Sequence, residues 1–234
     1  MATTESNFCF PLKRLDNSRL ILEPFDFHKY ADQFVQETKG HPELFAYVYQ
    51  GPFLTIADFE DFYDTRIRST DTETLFAILK KTENPDEGDG PLFAGVVGFQ
   101  NASVFNATIE IGFVTIFPRY HRSFVASTAV GLLLLYALDL PPEGLGLRRC
   151  QWQSHALNEA SKRLALRLGF TFESVQRFQR VVPANKIGNG YDTSYQTEEG
   201  REVPRPSRDS AVFAYYCDEW LDKRKDVVAI LERR

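Results

Sequence analysis

The sequence predicts an α/β protein of the α+β kind, in which helices flank a mixed, mostly antiparallel sheet of about seven strands. Residues 108–117 are rich in β-branched and aromatic side chains, which is typical of a strand. Residues 124–138 are almost continuously apolar, too long for one strand and free of proline, which predicts a buried helix. A second strand at 148–155 and a helix at 158–168 follow, so strands and helices alternate here.

The composition is that of an ordinary globular protein. The chain has 234 residues, 43% of them hydrophobic and 25% charged, which fits one large domain. Its 20 Phe and 10 Tyr residues are enough to build a core and to line a pocket. The net charge of −5 argues against nucleic acid as a partner.

No residue pattern indicates a metal site or a membrane segment. The three cysteines lack paired spacing, which fits a reducing compartment; they are Cys9, Cys150 and Cys217. The histidines also lack ligand spacing; they are His28, His41, His121 and His155. The longest apolar run, 129–138, is about half of a membrane span, and we see no secretion signal. We therefore expect a cytoplasmic protein without a metal or membrane partner.

Taken in chain order, the sequence predicts a flexible amino-terminal arm at residues 1–18 and a single domain at residues 19–234. Residues 19–24 predict a short strand that ends at a proline. Aromatic residues at helical spacing predict a helix over 26–37. A further helix is expected over 55–68, where acidic residues come early and arginines late, matching the helix dipole.

The remaining elements are four more strands in antiparallel pairs, two loops and a final helix. Residues 73–81 and 91–105 predict two strands joined by an acidic, exposed loop at 84–90. Residues 175–182 and 210–217 predict a hairpin around an inserted loop at 183–207, and loops of that length are usually functional or disordered. A charged helix at 218–231 ends the chain.

The turn at residues 117–123 is basic and precedes the start of the apolar helix. The first turn of a helix has N–H groups without partners, and its dipole favours negative charge. Arg119 and Arg122 add positive charge there, with His121 between them. The turn is therefore a candidate anion site, the alternative being a set of solvated loop cations.

An ordered set of short motifs resembles the GNAT acetyltransferase superfamily, specifically its RimJ/RimL-like branch. The matching segments are 19–24, Ile109-Glu-Ile-Gly112, Phe117-Pro118, 156–161 and Arg167-Leu-Gly-Phe170. The resemblance covers about residues 19–182, and residues 208–220 resemble the final strand and tail.

The resemblance implies a GNAT fold whose strands at 108–116 and 148–155 splay apart to hold acetyl-CoA. The residues that it places at the cofactor are Phe113, Val114, Arg119, His121, Arg122, Ser123, Phe124, Val125, Ala126, Asn158 and Ser161. A purely structural role as the N-cap of the following helix would also explain Asn158.

Two residues depart from the family pattern. The usual phosphate loop has glycine where this chain has Phe124, and glycine lets a backbone approach the pyrophosphate closely. Arg122-Ser123 resembles the pair of a sub-branch, so we expect binding to survive. Ala165 occupies the place of the usual tyrosine acid, which leaves solvent, Tyr191 or Tyr195 as alternatives.

The resemblance implies direct transfer of an acetyl group to an amine, which must first lose a proton. Glu110 lies where many members carry the base, and burial would raise its pKa to suit that role. Alternation along the strand predicts Ile109, Ile111 and Phe113 on one face and Glu110 on the other. His155 is the alternative base; a Glu110 that merely faces solvent is the simpler interpretation.

The acceptor wall in this family follows the first helix, which makes Phe45, Tyr47 and Tyr49 candidate substrate contacts. We expect a small amine such as an amino acid, a polyamine or a xenobiotic. The alternatives are protein amino-terminal acetylation, as in RimJ/RimL-like enzymes, and coenzyme binding without catalysis. The sequence leaves a homodimer open.

Overall fold

A computed structural model describes residues 7–82, 90–191 and 206–233, and the elements below refer to them. The strands are β1 (Leu15–Asp16), β2 (Leu20–Pro24), β3 (Thr74–Lys80), β4 (Leu92–Ser103), β5 (Thr108–Ile116), β6 (Arg149–His155), β7 (Thr171–Val181) and β8 (Ser207–Tyr216). They form one eight-stranded sheet in the order β1-β2-β3-β4-β5-β6-β8-β7.

Five α-helices cover the two faces of this sheet. They are α1 (Phe27–Lys39), α2 (Ile56–Tyr63), α3 (Val125–Leu138), α4 (Glu159–Arg167) and α5 (Cys217–Glu232). The apolar helix α3 lies against one face with α4 and α5, and its core includes Ile109, Ile111 and Trp152. Helices α1 and α2 cover the other face with an aromatic core that includes Phe34 and Phe59. The predicted fold class is confirmed.

The sheet opens between β5 and β6. These two strands pair in parallel, whereas all the other neighbours in the sheet are antiparallel. Their ladder runs from Thr108↔Arg149 to Ile111↔Trp152. Beyond it β5 stays paired with β4, and β6 stays paired with β8 as far as His155. The predicted splay of the two strands is therefore present.

A bulge in β5 changes the predicted alternation. The register with β4 shifts between Val96 and Gly98, and Phe113 has a left-handed backbone with φ of 55°. An extra residue in one strand turns the following side chains to the other face. Ile109 and Ile111 pack on the α3 side, but Phe113 packs in the aromatic core beside Phe62, with ring centres 5.8 Å apart. The prediction that Phe113 shares their face is wrong.

The predicted flexible arm at 1–18 is packed where the structure describes it. Phe8 is buried and stacks on Phe99 with ring centres 6.3 Å apart, and β1 extends the sheet beyond β2. The first six residues lie outside the described part, as do 83–89, which include most of the predicted acidic loop at 84–90, and 192–205 of the predicted insertion.

Within the described residues, no helix is long and apolar enough to cross a membrane. The same residues contain no cluster of three or more His, Cys, Asp or Glu side chains arranged to hold a metal ion.

Candidate active site

A cavity of about 560 Å³ lies where β5 and β6 separate. Its walls are the two strands, the loop at 120–123, the start of α4 and the segment at 44–50. Arg180 of β7 and Arg208 of β8 complete the wall on the side of the inserted loop. The cavity therefore joins the predicted cofactor loop to the predicted acceptor wall.

Glu110 lies in the cavity wall and is only 3% exposed. Its Oε2 accepts hydrogen bonds from Asn101 Nδ2 at 2.9 Å and from Gln151 Nε2 at 3.1 Å. Burial raises the pKa of this carboxyl above its ordinary value, although both amides and the charges of Arg180 and Arg208 oppose the shift. A carboxylate with a raised pKa beside a cavity can accept a proton from a ligand.

His155 also lines the cavity, but both of its ring nitrogens have backbone partners. Nδ1 accepts from the N–H of Leu157 at 3.0 Å, so Nε2 carries the proton that is donated to the carbonyl of Ile187 at 3.0 Å. Burial lowers the pKa of the imidazole, and the charge of Arg208 adds to this effect. No ring lone pair is left for an amine proton, which favours Glu110 as the base.

The turn before α3 presents backbone N–H groups to the cavity. Arg122 has a left-handed backbone with φ of 57°, and such a residue beside right-handed ones forms an anion-binding concavity. Among the described residues, no acceptor pairs with the N–H groups of Arg122, Ser123, Phe124 or Ala126. His121 Nε2 lies 2.8 Å from the carbonyl of Ile116 and fixes the loop to the end of β5.

The predicted loop residues divide into two groups. His121, Arg122, Ser123 and Ala126 line the cavity, whereas Arg119, Phe124 and Val125 do not. Arg119 forms an ion pair with Glu37 at 2.8 Å, and Val125 is buried in the core.

Phe124 neither strains the loop nor fills the cleft. Its backbone is right-handed, with φ of −71°, so the position needs no glycine. Its ring lies under the guanidinium of Arg19, 4.3 Å from the ring centre. The left-handed residue of the turn is Arg122, two positions earlier, and the departure at Phe124 therefore leaves the loop open to an anion.

Both predicted cofactor contacts at the start of α4 line the cavity. Asn158 Oδ1 caps the helix by accepting from the N–H of Ser161 at 3.1 Å, and the indole N–H of Trp152 donates to Ser161 Oγ at 3.1 Å. The cap leaves the Asn158 amide N–H groups available to a ligand. Ala165 is completely buried.

Two of the three predicted acceptor residues line the cavity. Tyr47 and Tyr49 do, whereas Phe45 is 1% exposed and packs in the aromatic core. The side chain of Tyr47 meets His155 edge-on, with ring centres 5.3 Å apart. Val114 and Phe113 line the cavity from β5. Tyr191 lies against Phe178 rather than at the cavity, and Tyr195 is outside the described residues.

Sequence reasoning missed three cationic residues around the acceptor side. Arg180 and Arg208 line the cavity, and Lys186 donates to the carbonyls of Phe45 and Gln50, each at 2.9 Å, and to that of Gly51. The one feature of the sequence that points to these residues is their position in or beside the long inserted loop. Which charges point inward depends on the strand register, which the sequence alone does not give.

Residues 19–171 match the family model described as "Acetyltransferase (GNAT) domain". The chain therefore belongs to the GNAT acetyltransferase family, and its enzyme class is that of the acyltransferases. A GCN5-related N-acetyltransferase from Brucella melitensis is 26% identical, with a TM-score of 0.72 over 94% of this chain and 86% of that one. No curated protein matches the sequence.

Two more distant solved structures share the fold and contain the predicted cofactor. RimJ from Mycobacterium smegmatis, in complex with CoA-disulfide, is 14% identical with a TM-score of 0.65 and 96% coverage of both chains. The microcin C7 self-immunity acetyltransferase MccE, in complex with acetyl-CoA and AMP, is 19% identical with a TM-score of 0.61, covering 86% of this chain and 93% of that one. Coenzyme A is thus the ligand of solved proteins with this fold.

Proposed function

We propose that this protein is an acetyl-CoA-dependent N-acetyltransferase that acetylates the primary amine of a small molecule, with Glu110 as the general base. The observation that carries the proposal is the buried Glu110 carboxyl, with its raised pKa, in the wall of a cavity between parted strands. A carboxyl group rarely occupies such a place without a functional reason.

The residues of the cleft fit the proposed donor. The unpaired N–H groups around Arg122, together with its side chain, would hold a diphosphate, and Asn158 would hold the arm that follows it. When bound, acetyl-CoA supplies a thioester whose C–S bond breaks as a C–N bond to the acceptor forms and the coenzyme thiol is released.

Glu110 has the geometry of a base that acts on the acceptor. An ammonium has no lone pair, so the amine must lose a proton before it attacks. The Glu110 carboxylate takes that proton, directly or through a water, while the amides of Asn101 and Gln151 hold it in position. Ala165 offers no proton to the leaving thiol and Tyr191 lies away from the cavity, so we assign this proton to solvent.

The acceptor side supports a small molecule rather than a protein amino terminus. Lys186 ties the segment at 183–191 to the segment at 45–51 through three backbone carbonyls. Ile187 adds an N–H bond to the carbonyl of Ala46 at 3.1 Å. Tyr47 and Tyr49, which line the cavity, belong to the segment held by this connection, and a wall fixed in this way favours a small acceptor over a polypeptide.

The test is thiol release from acetyl-CoA with a panel of small primary amines and a panel of short peptides with free amino termini. We expect turnover with small amines and little with peptides. Calorimetry should show acetyl-CoA binding in the micromolar range that is common for enzyme substrates, about 1 μM to 1 mM. Binding without turnover of any amine would identify a non-catalytic coenzyme-binding protein, and preferential turnover of peptides would reverse the acceptor assignment.

A further inference from the structure

Two arginines oppose each other directly on the acceptor side of the cavity. Arg180 of β7 is the register partner of Arg208 of β8, and like charges in opposed positions destabilise a sheet. Arg208 is only 6% exposed, and its Nε has no hydrogen-bond partner among the described residues. Arg180 Nε donates to the side-chain oxygen of Gln179 at 2.8 Å, but within that same part of the chain neither guanidinium is ion-paired with a carboxylate.

The strand register places both arginines on the same face of the sheet as Glu110. Glu110 is opposite Gln151, and Trp152, the next residue, packs on the α3 face. Alternation therefore puts Gln151, and Arg208 with it, on the face away from α3. The unpaired N–H groups of the cofactor loop belong to the start of α3. The two arginines thus form a second cationic site, separate from the one assigned to the diphosphate.

Besides Arg208 Nε, Tyr49 supplies a second buried donor without a partner among the described residues. Its hydroxyl is buried and has no partner in the described ranges, and burial raises its pKa to about 12, so it keeps its proton at neutral pH. The guanidinium of Arg180 lies 5.8 Å from its ring centre. Arg66 also stacks on this ring, but its guanidinium forms an ion pair with Glu73. Buried donors that lack acceptors cost free energy unless a ligand satisfies them.

Glu110 does not account for the positive charge. Its oxygens accept from side-chain amides, not from a guanidinium, and its raised pKa shows that the arginines do not offset its burial. One carboxyl beside two guanidinium groups also leaves at least one positive charge in surplus. An anionic group of the acceptor would complete this site.

We infer that Arg208, Arg180 and the Tyr49 hydroxyl bind a carboxylate of the acceptor, so that the substrate is an amino acid with a free carboxylate. The inference rests on the proposed function and names its substrate class. The side-chain oxygen of Gln153, Oε1, also lines the cavity and is a buried acceptor without a partner in the described chain. It could accept a hydrogen bond from an N–H of the same molecule. A polyamine, which carries only positive charge, would be repelled.

The test compares free amino acids with their carboxamides, which keep the amine and lose the charge, in the thiol-release assay. We expect kcat/KM to be about ten- to a hundredfold higher for the free acids, the range of one or two charge-assisted hydrogen bonds. Arg180→Gln should remove most of this preference and, by relieving the repulsion from Arg208, should not lower Tm. Arg208→Gln should act in the same direction if the variant folds.

Arg177→Gln is the matched control, because Arg177 is on the same strand but stacks outside the cavity on Phe178 and Tyr191. It should leave the preference unchanged. Calorimetry with N-acetyl amino acids and N-acetyl amino amides, on the enzyme with coenzyme A bound, measures the same preference without turnover. Turnover of both classes at equal rates would overturn the carboxylate site and leave the acetyltransferase standing. A binding preference without any turnover would support the site and overturn the catalytic proposal.

Discussion

At the scale of single residues, the account depends on the protonation of Glu110. Burial raises the pKa of this carboxyl, so the folded protein binds a proton that the unfolded chain releases at its ordinary value. Between those two pKa values the folded state binds more protons than the unfolded state, and stability falls as the pH rises through that window. The proposed role of Glu110 as the base predicts the opposite course for activity, because only the ionised carboxylate can accept the amine proton.

Glu110→Gln therefore separates catalysis from stability. We expect kcat to fall by about 10²- to 10⁴-fold, the usual contribution of a general base, and the remaining rate to lose the pH dependence due to Glu110. Acetyl-CoA affinity should not change, and Tm at pH 8 should be equal or higher, since the buried charge is gone. Rates from pH 5 to 9 and thermal melts check this. An unchanged kcat would exclude Glu110 as the base.

Arg122 and Arg119 have the same charge and lie three positions apart, but only Arg122 lines the cavity. Arg122→Ala should weaken coenzyme A binding about tenfold, the loss of one charge-assisted contact, and should hardly affect analogues that lack the diphosphate. Arg119→Ala is the matched control and should have little effect, because Arg119 is paired with Glu37. Calorimetry measures both. Equal losses for the two variants would place the anion elsewhere on this turn.

At the scale of elements, the site depends on two departures from regular structure. The bulge in β5 moves Phe113 to the face of the aromatic core just where the ladder with β6 ends. The segment at 183–191 crosses from the end of β7 to the loop after α1 and is fixed there by Lys186. Burial lowers the pKa of Lys186 to about 8, so it remains charged at neutral pH.

Lys186→Met should loosen the acceptor side without affecting the donor side. Three carbonyl groups lose their donor, and the segment at 45–51, which contains Tyr47 and Tyr49, loses these bonds to the segment at 183–191. We expect KM for the amine to rise several-fold, with the acetyl-CoA dissociation constant unchanged. Lys81→Met is the control for loss of a lysine. Lys81 does not line the cavity, and this change removes its 3.1 Å hydrogen bond to Asp16. A change in the acetyl-CoA dissociation constant, with the KM for the amine unchanged, would contradict the assignment of the donor and acceptor sides of the cavity.

At the scale of the whole molecule, local patterns were enough to predict most of the fold. The apolar run at 124–138 and the β-branched run at 108–117 each became one element, because propensity and burial agree there. The amino-terminal arm was predicted as loose because a strand of two residues, Leu15–Asp16, has no pattern of its own. These two residues pair with β2, and such pairing is not visible in the sequence of so short a stretch.

The candidate site was predictable only where it follows one segment. The loop around Arg122 and the cap at Asn158 follow directly from sequence order and from the family resemblance. Arg180 and Arg208 come together through a register with a bulge between Gln176 and Arg180, in which Phe178 takes a left-handed backbone. No periodic pattern encodes such a shift. The same is true of Phe113.

The central claim is that the gap between β5 and β6 holds the donor with its acetyl group facing the Glu110 side of the sheet. A crystal structure with coenzyme A and an N-acetyl amino acid tests it most directly. We predict the diphosphate on the N–H groups of residues 122–124 and 126, the pantetheine arm between the strands, and the carboxylate on Arg180 and Arg208. Coenzyme bound outside that gap, with β5 and β6 unchanged beside an empty cavity, would contradict the account.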